Sequence, residues 1–265
     1  MAKNTKETNF FYDQYARGLS WYKSFFTHCS NHIAIGEISN LYIYDPHVPE
    51  RIAVHLPDVK LIAILRNPFD RIRSAYAYRK RAGQIDARMD LFDAISQYPD
   101  LIDQNFYGYQ LRHYLNFFSR EQLLIAFYDD LIHDPEGFIA SIFKFIGVDG
   151  SFQSRAIYER VNPEVAARSR YLSMLARFGA RSLRSAGLYS LLERFKNSAV
   201  LRIVLFSDAN RASQELQADV ELNGILARHF GPQIAEVEDI TGRRLAHWYP
   251  TTGGSDQTET PIEQT

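Results

Sequence analysis

The chain is poor in several features that mark particular classes of protein. Its single cysteine, Cys29, excludes an internal disulfide and a cysteine-based zinc site. No apolar run approaches the length of a transmembrane helix, and the first residues lack the apolar core of a signal peptide. The eight histidines show no metal-ligand spacing, so we expect no metal. These absences predict a cytoplasmic protein without a transmembrane segment.

The chain also lacks an excess of charge of either sign. It has 30 basic and 31 acidic residues, which argues against a dedicated nucleic-acid-binding protein. The basic residues are nevertheless concentrated, with six of them between Arg66 and Arg81 against one acid, Asp70. Such a segment is consistent with a small anionic ligand or acceptor. The alternative is a solvated, charged helix face.

What the chain does contain is a pattern of buried strands alternating with helices. A hydrophobic fraction of 46% and 36 aromatic residues (16 Tyr, 18 Phe, 2 Trp) exclude extensive disorder. The alternation predicts an α/β fold with a doubly wound parallel sheet, helices on both faces and a helical C-terminal part. We expect one domain over residues 1–250 and a flexible tail over 251–265. Strands are predicted at 32–39, 59–65 and 122–128, and helices at 20–26, 45–57, 67–83, 89–97, 104–118, 134–147 and 211–230.

The segment with the clearest chemistry follows the apolar run at 59–65. Arg66 is the first residue after this predicted strand, and Ser74 lies eight residues further on, within the predicted helix. Ligands of open parallel sheets bind beyond the carboxyl ends of strands, where a guanidinium and a hydroxyl suit a phosphate. The alternative is that Arg66 pairs with Asp70 or another carboxylate and that Ser74 only packs in the helix.

The residues Arg66-Asn67-Pro68, Arg71, Ser74 and Tyr76 resemble the 3′-phosphate-binding motif of sulfotransferases that use 3′-phosphoadenosine 5′-phosphosulfate. This resemblance implies a P-loop-type α/β fold and gives Arg66 and Ser74 the 3′-phosphate roles. It also implies sulfuryl transfer from the nucleotide donor to a hydroxyl or amine, on a small molecule or a glycan. Weaker similarities to the bacterial and heparan-type branch extend to Trp248, among them residues 6–11, 21–26, 36–46 and 107–135.

Glu7 is the catalytic residue that the resemblance implies. The segment Lys6-Glu7-Thr8-Asn9-Phe10-Phe11 is similar to a family element whose carboxylate acts as the base on the acceptor. Such a base must reach the acceptor group by a hydrogen bond. Without the resemblance, Glu7 would be interpreted as a surface residue.

One family element is missing from the sequence. Sulfotransferases normally begin with a strand, a phosphate-cradling loop and a helix, and we find no such pattern before Lys6. Three interpretations remain open: a misplaced start or truncated gene, a degenerate protein, or a partner that supplies the element. The alternative function is therefore a catalytically inactive remnant that binds nucleotide or another protein. In addition, Ile38 stands where the heparan-type branch has a lysine.

A second basic segment has no assigned ligand. Four arginines recur at helical spacing on one predicted face, which favours either a solvated helix or a contact with an anionic acceptor or nucleotide: Arg170, Arg177, Arg181 and Arg184. The sequence specifies neither the acceptor nor the oligomeric state.

Overall fold

The computed structural model describes residues 2, 5, 7–150, 165–167, 206–208 and 220–250. The four arginines from Arg170 to Arg184 and the predicted tail at 251–265 lie outside these residues. The helices are α1 (Leu19–Ser24), α2 (Val48–His55), α3 (Pro68–Arg81), α4 (Leu91–Gln97), α5 (Asp100–Asp103), α6 (Tyr107–Leu115), α7 (Tyr128–His133), α8 (Pro135–Ile146) and α9 (Val220–Thr241). The strands are β1 (Leu61–Leu65), β2 (Leu123–Phe127), β3 (Val165–Ala167) and β4 (Phe206–Asp208).

The central pair of strands is parallel, as the α/β prediction requires. β1 pairs with β2 in a register that places Leu61 opposite Leu123 and Leu65 opposite Phe127. Helices α3 to α6 make the crossover between the two strands, and α8 packs against β2. β3 and β4 form a separate antiparallel pair. The mixed α/β class with helices around a parallel sheet is therefore confirmed.

Three helix ends follow the local chemistry of the sequence. Asn67 caps α3 by accepting a hydrogen bond from the Phe69 N–H at 2.9 Å, and Pro68 occupies the first helical position. Asp134 caps α8 in the same way, through the Gly137 N–H at 2.9 Å. Gly147 ends α8 with φ +79°, a conformation that glycine adopts without steric cost. These caps fix where the helices begin and end relative to the strands.

Two local predictions are wrong. Residues 32–39 form no strand, because no described segment pairs with them; Ile33 is 89% exposed. Helix α2 begins at Val48 rather than near Asp45, whose carboxylate instead accepts the His47 N–H at 2.8 Å, just before the helix. In the first of these segments Ile33, Ile35 and Ile38 are exposed, so no burial drives them into a sheet.

The core joins the N-terminal aromatic segment to the helices around the sheet. Phe10 and Phe11 are buried, and the Phe10 ring stacks on Tyr22 with centroids 4.7 Å apart. Helix α9 packs closely on α6, where a Cβ added to Gly108 would lie 2.4 Å from the Glu236 Cβ. This long helix brings the C-terminal part of the chain back to the sheet.

One face of β1 is left open. Side chains alternate across a strand, so Ile62 and Ile64 share a face; they are 38% and 53% exposed, whereas Leu65 on the other face is buried. Within the described part of the chain, β1 pairs only with β2, and no strand precedes it. Parallel strands are normally covered on both faces, so this open face is unusual.

Candidate functional site

Arg66 lies where the carboxyl ends of β1 and β2 meet. The parallel register pairs Leu65 with Phe127, so the next residues of the two strands, Arg66 and Tyr128, come together. The Arg66 guanidinium carbon lies 5.4 Å from the centre of the Tyr128 ring. The sheet thus places a half-buried cation at the edge where open α/β proteins bind ligands.

The other basic residues of this segment mostly have partners inside the protein. Arg71 Nη1 donates to the Gln104 carbonyl at 3.0 Å, Arg79 forms an ion pair with Asp100, and Lys80 Nζ donates to the Tyr76 hydroxyl at 2.9 Å. Arg73 donates to the Phe69 carbonyl at 3.2 Å and to the Asn223 side chain. Of the six basic side chains, only those of Arg66 and Arg81 make no hydrogen bond or ion pair to a described residue. In particular, the alternative pairing of Arg66 with Asp70 is not formed.

Ser74 is exposed on α3, and its hydroxyl makes no hydrogen bond to a described residue. It lies seven residues after Asn67, or about two helical turns, so both residues fall on the same side of the helix. Arg66 and Ser74 therefore belong to one strand–helix unit with their polar groups available, although no direct contact joins them.

Trp248, near the end of the described chain, packs against the residues that flank Arg66 and Tyr128. The buried Trp248 donates from Nε1 to Asp129 at 2.7 Å, and its carbonyl accepts from Asn67 Nδ2 at 3.3 Å. Its ring lies 5.8 Å from Phe127 and 6.4 Å from Tyr107. The segment after α9 is thereby fixed against both strand ends and the start of α3.

A second arginine lies at the same edge but is neutralised. Arg243 makes two hydrogen bonds to Asp130, at 2.6 and 2.8 Å, and its guanidinium lies 4.4 Å from the centre of the Phe127 ring. These hydrogen bonds lower the pKa of Asp130, which keeps its carboxylate ionised as the partner of Arg243. Arg243 is therefore less available to a ligand than Arg66.

Glu7 lies in the extended segment before Phe10. Its carboxylate is half-buried and accepts a hydrogen bond from Asn40 Nδ2 at 2.9 Å. No contact joins Glu7 to Arg66 or Ser74 among the described residues. The fold places Glu7 against the loop at 36–44, a segment whose sequence similarity is weak on its own.

Sequence reasoning missed a cluster of hydroxyls around Glu37. This carboxylate accepts hydrogen bonds from Thr8 Oγ1 and from the Tyr42 hydroxyl at 2.9 Å, and the Tyr22 phenol lies nearby. Thr8 is only 4% exposed. The one signal in the sequence was the motif at 36–42, because the partners Thr8 and Glu37 lie 29 residues apart.

Two further properties of the described residues bear on the kind of site. They contain no group of three or more histidine, cysteine, aspartate or glutamate side chains arranged to hold a metal ion. None of their helices is both long enough and apolar enough to cross a membrane.

The structure is an α/β unit with an arginine at the carboxyl end of its parallel strands, the place where open α/β proteins bind ligands. Residues 2–168 match the family model described as "Sulfotransferase domain". The chain therefore belongs to the sulfotransferase family.

Several known proteins are similar to this chain. It is 30% identical over 161 residues to bifunctional heparan sulfate N-deacetylase/N-sulfotransferase 4 of Mus musculus, covering 55% of this chain and 18% of that protein. It is 29% identical over 148 residues to heparan sulfate glucosamine 3-O-sulfotransferase 6 of Homo sapiens, covering 54% and 43%. The chain thus spans less than half the length of these relatives. The crystal structure of a sulfotransferase from Alicyclobacillus acidocaldarius has the same fold, with a TM-score of 0.60, 20% identity, and 92% and 79% of the two chains covered.

Proposed function

We propose that this protein is a sulfotransferase that moves a sulfuryl group from 3′-phosphoadenosine 5′-phosphosulfate to a hydroxyl or amine of a carbohydrate. The observation that carries this proposal is the Arg66 guanidinium at the carboxyl ends of two parallel strands, which has no hydrogen bond or ion pair to a described residue. Four of the other five cations between Arg66 and Arg81 are engaged internally, and Arg81 lies at the far end of α3, so Arg66 is the available counter-charge for an anionic ligand at the strand end. Membership of the sulfotransferase family and similarity to heparan sulfate sulfotransferases support the donor and acceptor classes.

In this proposal three side chains have distinct tasks. Arg66 donates charge-assisted hydrogen bonds to the 3′-phosphate of the nucleotide, and the exposed Ser74 hydroxyl adds a further donor. Glu7 accepts the proton of the acceptor group as the acceptor's oxygen or nitrogen forms its bond to sulfur. The bond between sulfur and the 5′-phosphate oxygen breaks, and its electron pair stays on 3′,5′-diphosphoadenosine.

The first prediction tests Arg66 through the phosphate that it recognises. In Arg66→Ala, we expect the affinity for 3′,5′-diphosphoadenosine to fall about 10- to 100-fold, because charge-assisted hydrogen bonds are worth roughly 1.5–3 kcal/mol. The affinity for adenosine 5′-monophosphate, which lacks the 3′-phosphate, should change little. Calorimetric titration of both nucleotides measures the difference.

Arg81→Ala is the matched control, because Arg81 also lacks a polar partner among the described residues but lies at the far end of α3. It should leave both affinities unchanged. Equal weakening of the two nucleotides by Arg66→Ala would contradict the 3′-phosphate assignment.

The second prediction tests Glu7 by turnover of the sulfate donor with a heparan sulfate oligosaccharide as acceptor. Glu7→Gln should lower kcat by about 10²- to 10⁴-fold, the range of general-base catalysis, and should spare nucleotide affinity. Glu50→Gln, an exposed carboxylate of α2, is the control for loss of one negative charge. Unchanged turnover in Glu7→Gln would remove Glu7 from the mechanism.

Nucleotide binding without turnover in the unmodified protein would favour the inactive nucleotide-binding module instead.

A further inference from the structure

The loop at 37–40 contacts the Glu7 segment at two points. On one side, the Glu37 carboxylate accepts the hydroxyl of Thr8, the residue next to Glu7. On the other side, Asn40 donates to the Glu7 carboxylate itself at 2.9 Å. Both contacts come from one short loop, in which Glu37 binds Thr8 and Asn40 binds Glu7.

Two hydroxyls anchor the Glu37 carboxylate. Thr8 and Tyr42 both donate to it, the Tyr22 phenol lies nearby, and Thr8 and Tyr22 are buried. Burial, followed by the charge of Glu37, raises the pKa of Tyr42 to about 12 and that of Tyr22 further still. Both phenols consequently remain protonated donors. Among the described residues, Glu37 receives two side-chain donors and the Glu7 carboxylate receives one.

The same hydroxyls also fix the backbone just after Glu7. Thr8 Oγ1 accepts the Phe10 N–H at 3.3 Å, and the Tyr42 hydroxyl accepts the Phe11 N–H at 3.2 Å. Asn9, between Thr8 and Phe10, has φ +50°, in the left-handed region that asparagine adopts more readily than most residues with a side chain. The path of the chain from Glu7 to Phe11 thus depends on groups that converge on Glu37.

We propose that Glu37 is a positioning residue for the base Glu7, an inference that rests on the proposed function. Glu37 holds Thr8 and Tyr42, these hold the turn at residues 8–11, and the turn directs the Glu7 carboxylate toward Asn40 and the acceptor. Catalysis is sensitive to such placement, because a displacement of about 1 Å can cost about 10²-fold in rate.

The test is Glu37→Gln, which keeps the size of the side chain and removes its charge and one acceptor atom. We expect kcat to fall about 10- to 100-fold with unchanged affinity for 3′,5′-diphosphoadenosine. Because Glu37 acts through Glu7, the double variant Glu7→Gln/Glu37→Gln should be no slower than Glu7→Gln alone. Additive losses, or unchanged turnover in Glu37→Gln, would overturn the proposal. Glu50→Gln again controls for lost charge.

A second measurement does not depend on turnover and separates this proposal from the proposed function. In Glu37→Gln, amide hydrogen exchange at Phe10 and Phe11 should accelerate about tenfold, and the Asn40 side-chain amide signal should shift. If the unmodified protein shows no turnover, the proposed function fails, and unchanged exchange and Asn40 signals would then also overturn the role of Glu37.

Should Glu37→Gln not fold, Tyr42→Phe removes one donor to Glu37 and the acceptor of the Phe11 N–H. It should change exchange at Phe11 in the same direction, and no change there would count against the proposal.

Discussion

Arg66 and Arg71 stand five residues apart in one motif, yet the structure gives them different tasks. Arg71 donates to the Gln104 carbonyl and to Asn105 Oδ1 and so ties α3 to the chain before α6. The Arg66 guanidinium lies over the Tyr128 ring and makes no side-chain hydrogen bond to a described residue. The position of Arg66 at a strand end was predictable, because it depends on a local apolar run. The use of Arg71 was not, because its partners lie more than 30 residues away.

A residue-scale prediction concerns alkaline stability. The pKa of Tyr42 is raised to about 12 by burial and by Glu37, from an ordinary value of 10.0. The unfolded chain therefore loses this proton first, so stability is fully present below pH 10 and falls as the pH rises toward 12. Tyr42 contributes a slope of at most about 1.4 kcal/mol per pH unit. Denaturant unfolding between pH 10 and 12 measures this effect: in Tyr42→Phe, the free energy of unfolding should fall less steeply with pH than in the unmodified protein.

Tyr78→Phe is the matched control, because Tyr78 is 62% exposed on α3 and lies outside the Glu37 cluster. If the free energy of unfolding depends on pH equally in Tyr42→Phe and in the unmodified protein, Tyr42 titrates alike in the folded and unfolded chains.

At the scale of elements, the sequence predicted those boundaries that depend on neighbouring residues. Asn67-Pro68 and Asp134-Pro135 specify helix starts through a capping side chain and a fixed proline φ, and Gly147 specifies an end. The strands at 61–65 and 123–127 were recognisable as apolar runs of the length that a parallel sheet buries.

Elements that depend on a distant partner were not predictable in this way. The apolar residues at 32–39 suggested a strand, but a strand forms only where another segment completes its hydrogen bonds. The Glu37 cluster has the same character, since Thr8 and Tyr42 meet across a loop of more than 30 residues. Within the candidate site, Arg66 and Ser74 follow from one strand–helix unit, whereas the Glu7 anchor follows from tertiary packing.

At the scale of the whole molecule, the sheet is asymmetric. The face of β1 that carries Leu65 lies in the core, whereas the face that carries Ile62 and Ile64 is partly exposed. On the core side, Phe69 of α3 meets Phe230 of α9 edge to face, with ring centroids 5.3 Å apart. The described part of the protein therefore depends strongly on its C-terminal helix and on the residues after it.

Trp248 holds the C-terminal segment against the ends of the strands and the start of α3. It is 1% exposed, and it links three separate parts of the chain through its ring, its Nε1–H and its carbonyl. Its contacts with Asn67 and Asp129 join residues 181 and 119 positions apart. Because Asn67 is the cap of α3 and follows Arg66 directly, the position of Arg66 also depends on Trp248.

The whole-molecule prediction is that Trp248→Ala strongly destabilises the protein and Trp21→Ala does so less. Truncation of a buried tryptophan costs about 3–5 kcal/mol, through lost burial and the cavity left behind, and Asp129 also loses a hydrogen bond. For a chain of this size, each kcal/mol corresponds to roughly 2–4 °C in Tm. Trp21 is half-buried against Phe25, with ring centroids 4.8 Å apart, so its loss removes less packing. Thermal unfolding of both variants, together with Trp248→Phe, measures the difference.

The Tm of the phenylalanine variant should lie between those of Trp248→Ala and the unmodified protein, because it keeps an aromatic ring and loses the Nε1 donor. Equal Tm values for Trp248→Ala and Trp21→Ala would show that closure of the C-terminal segment contributes no more than surface packing, and the dependence of Arg66 on this segment would have to be abandoned.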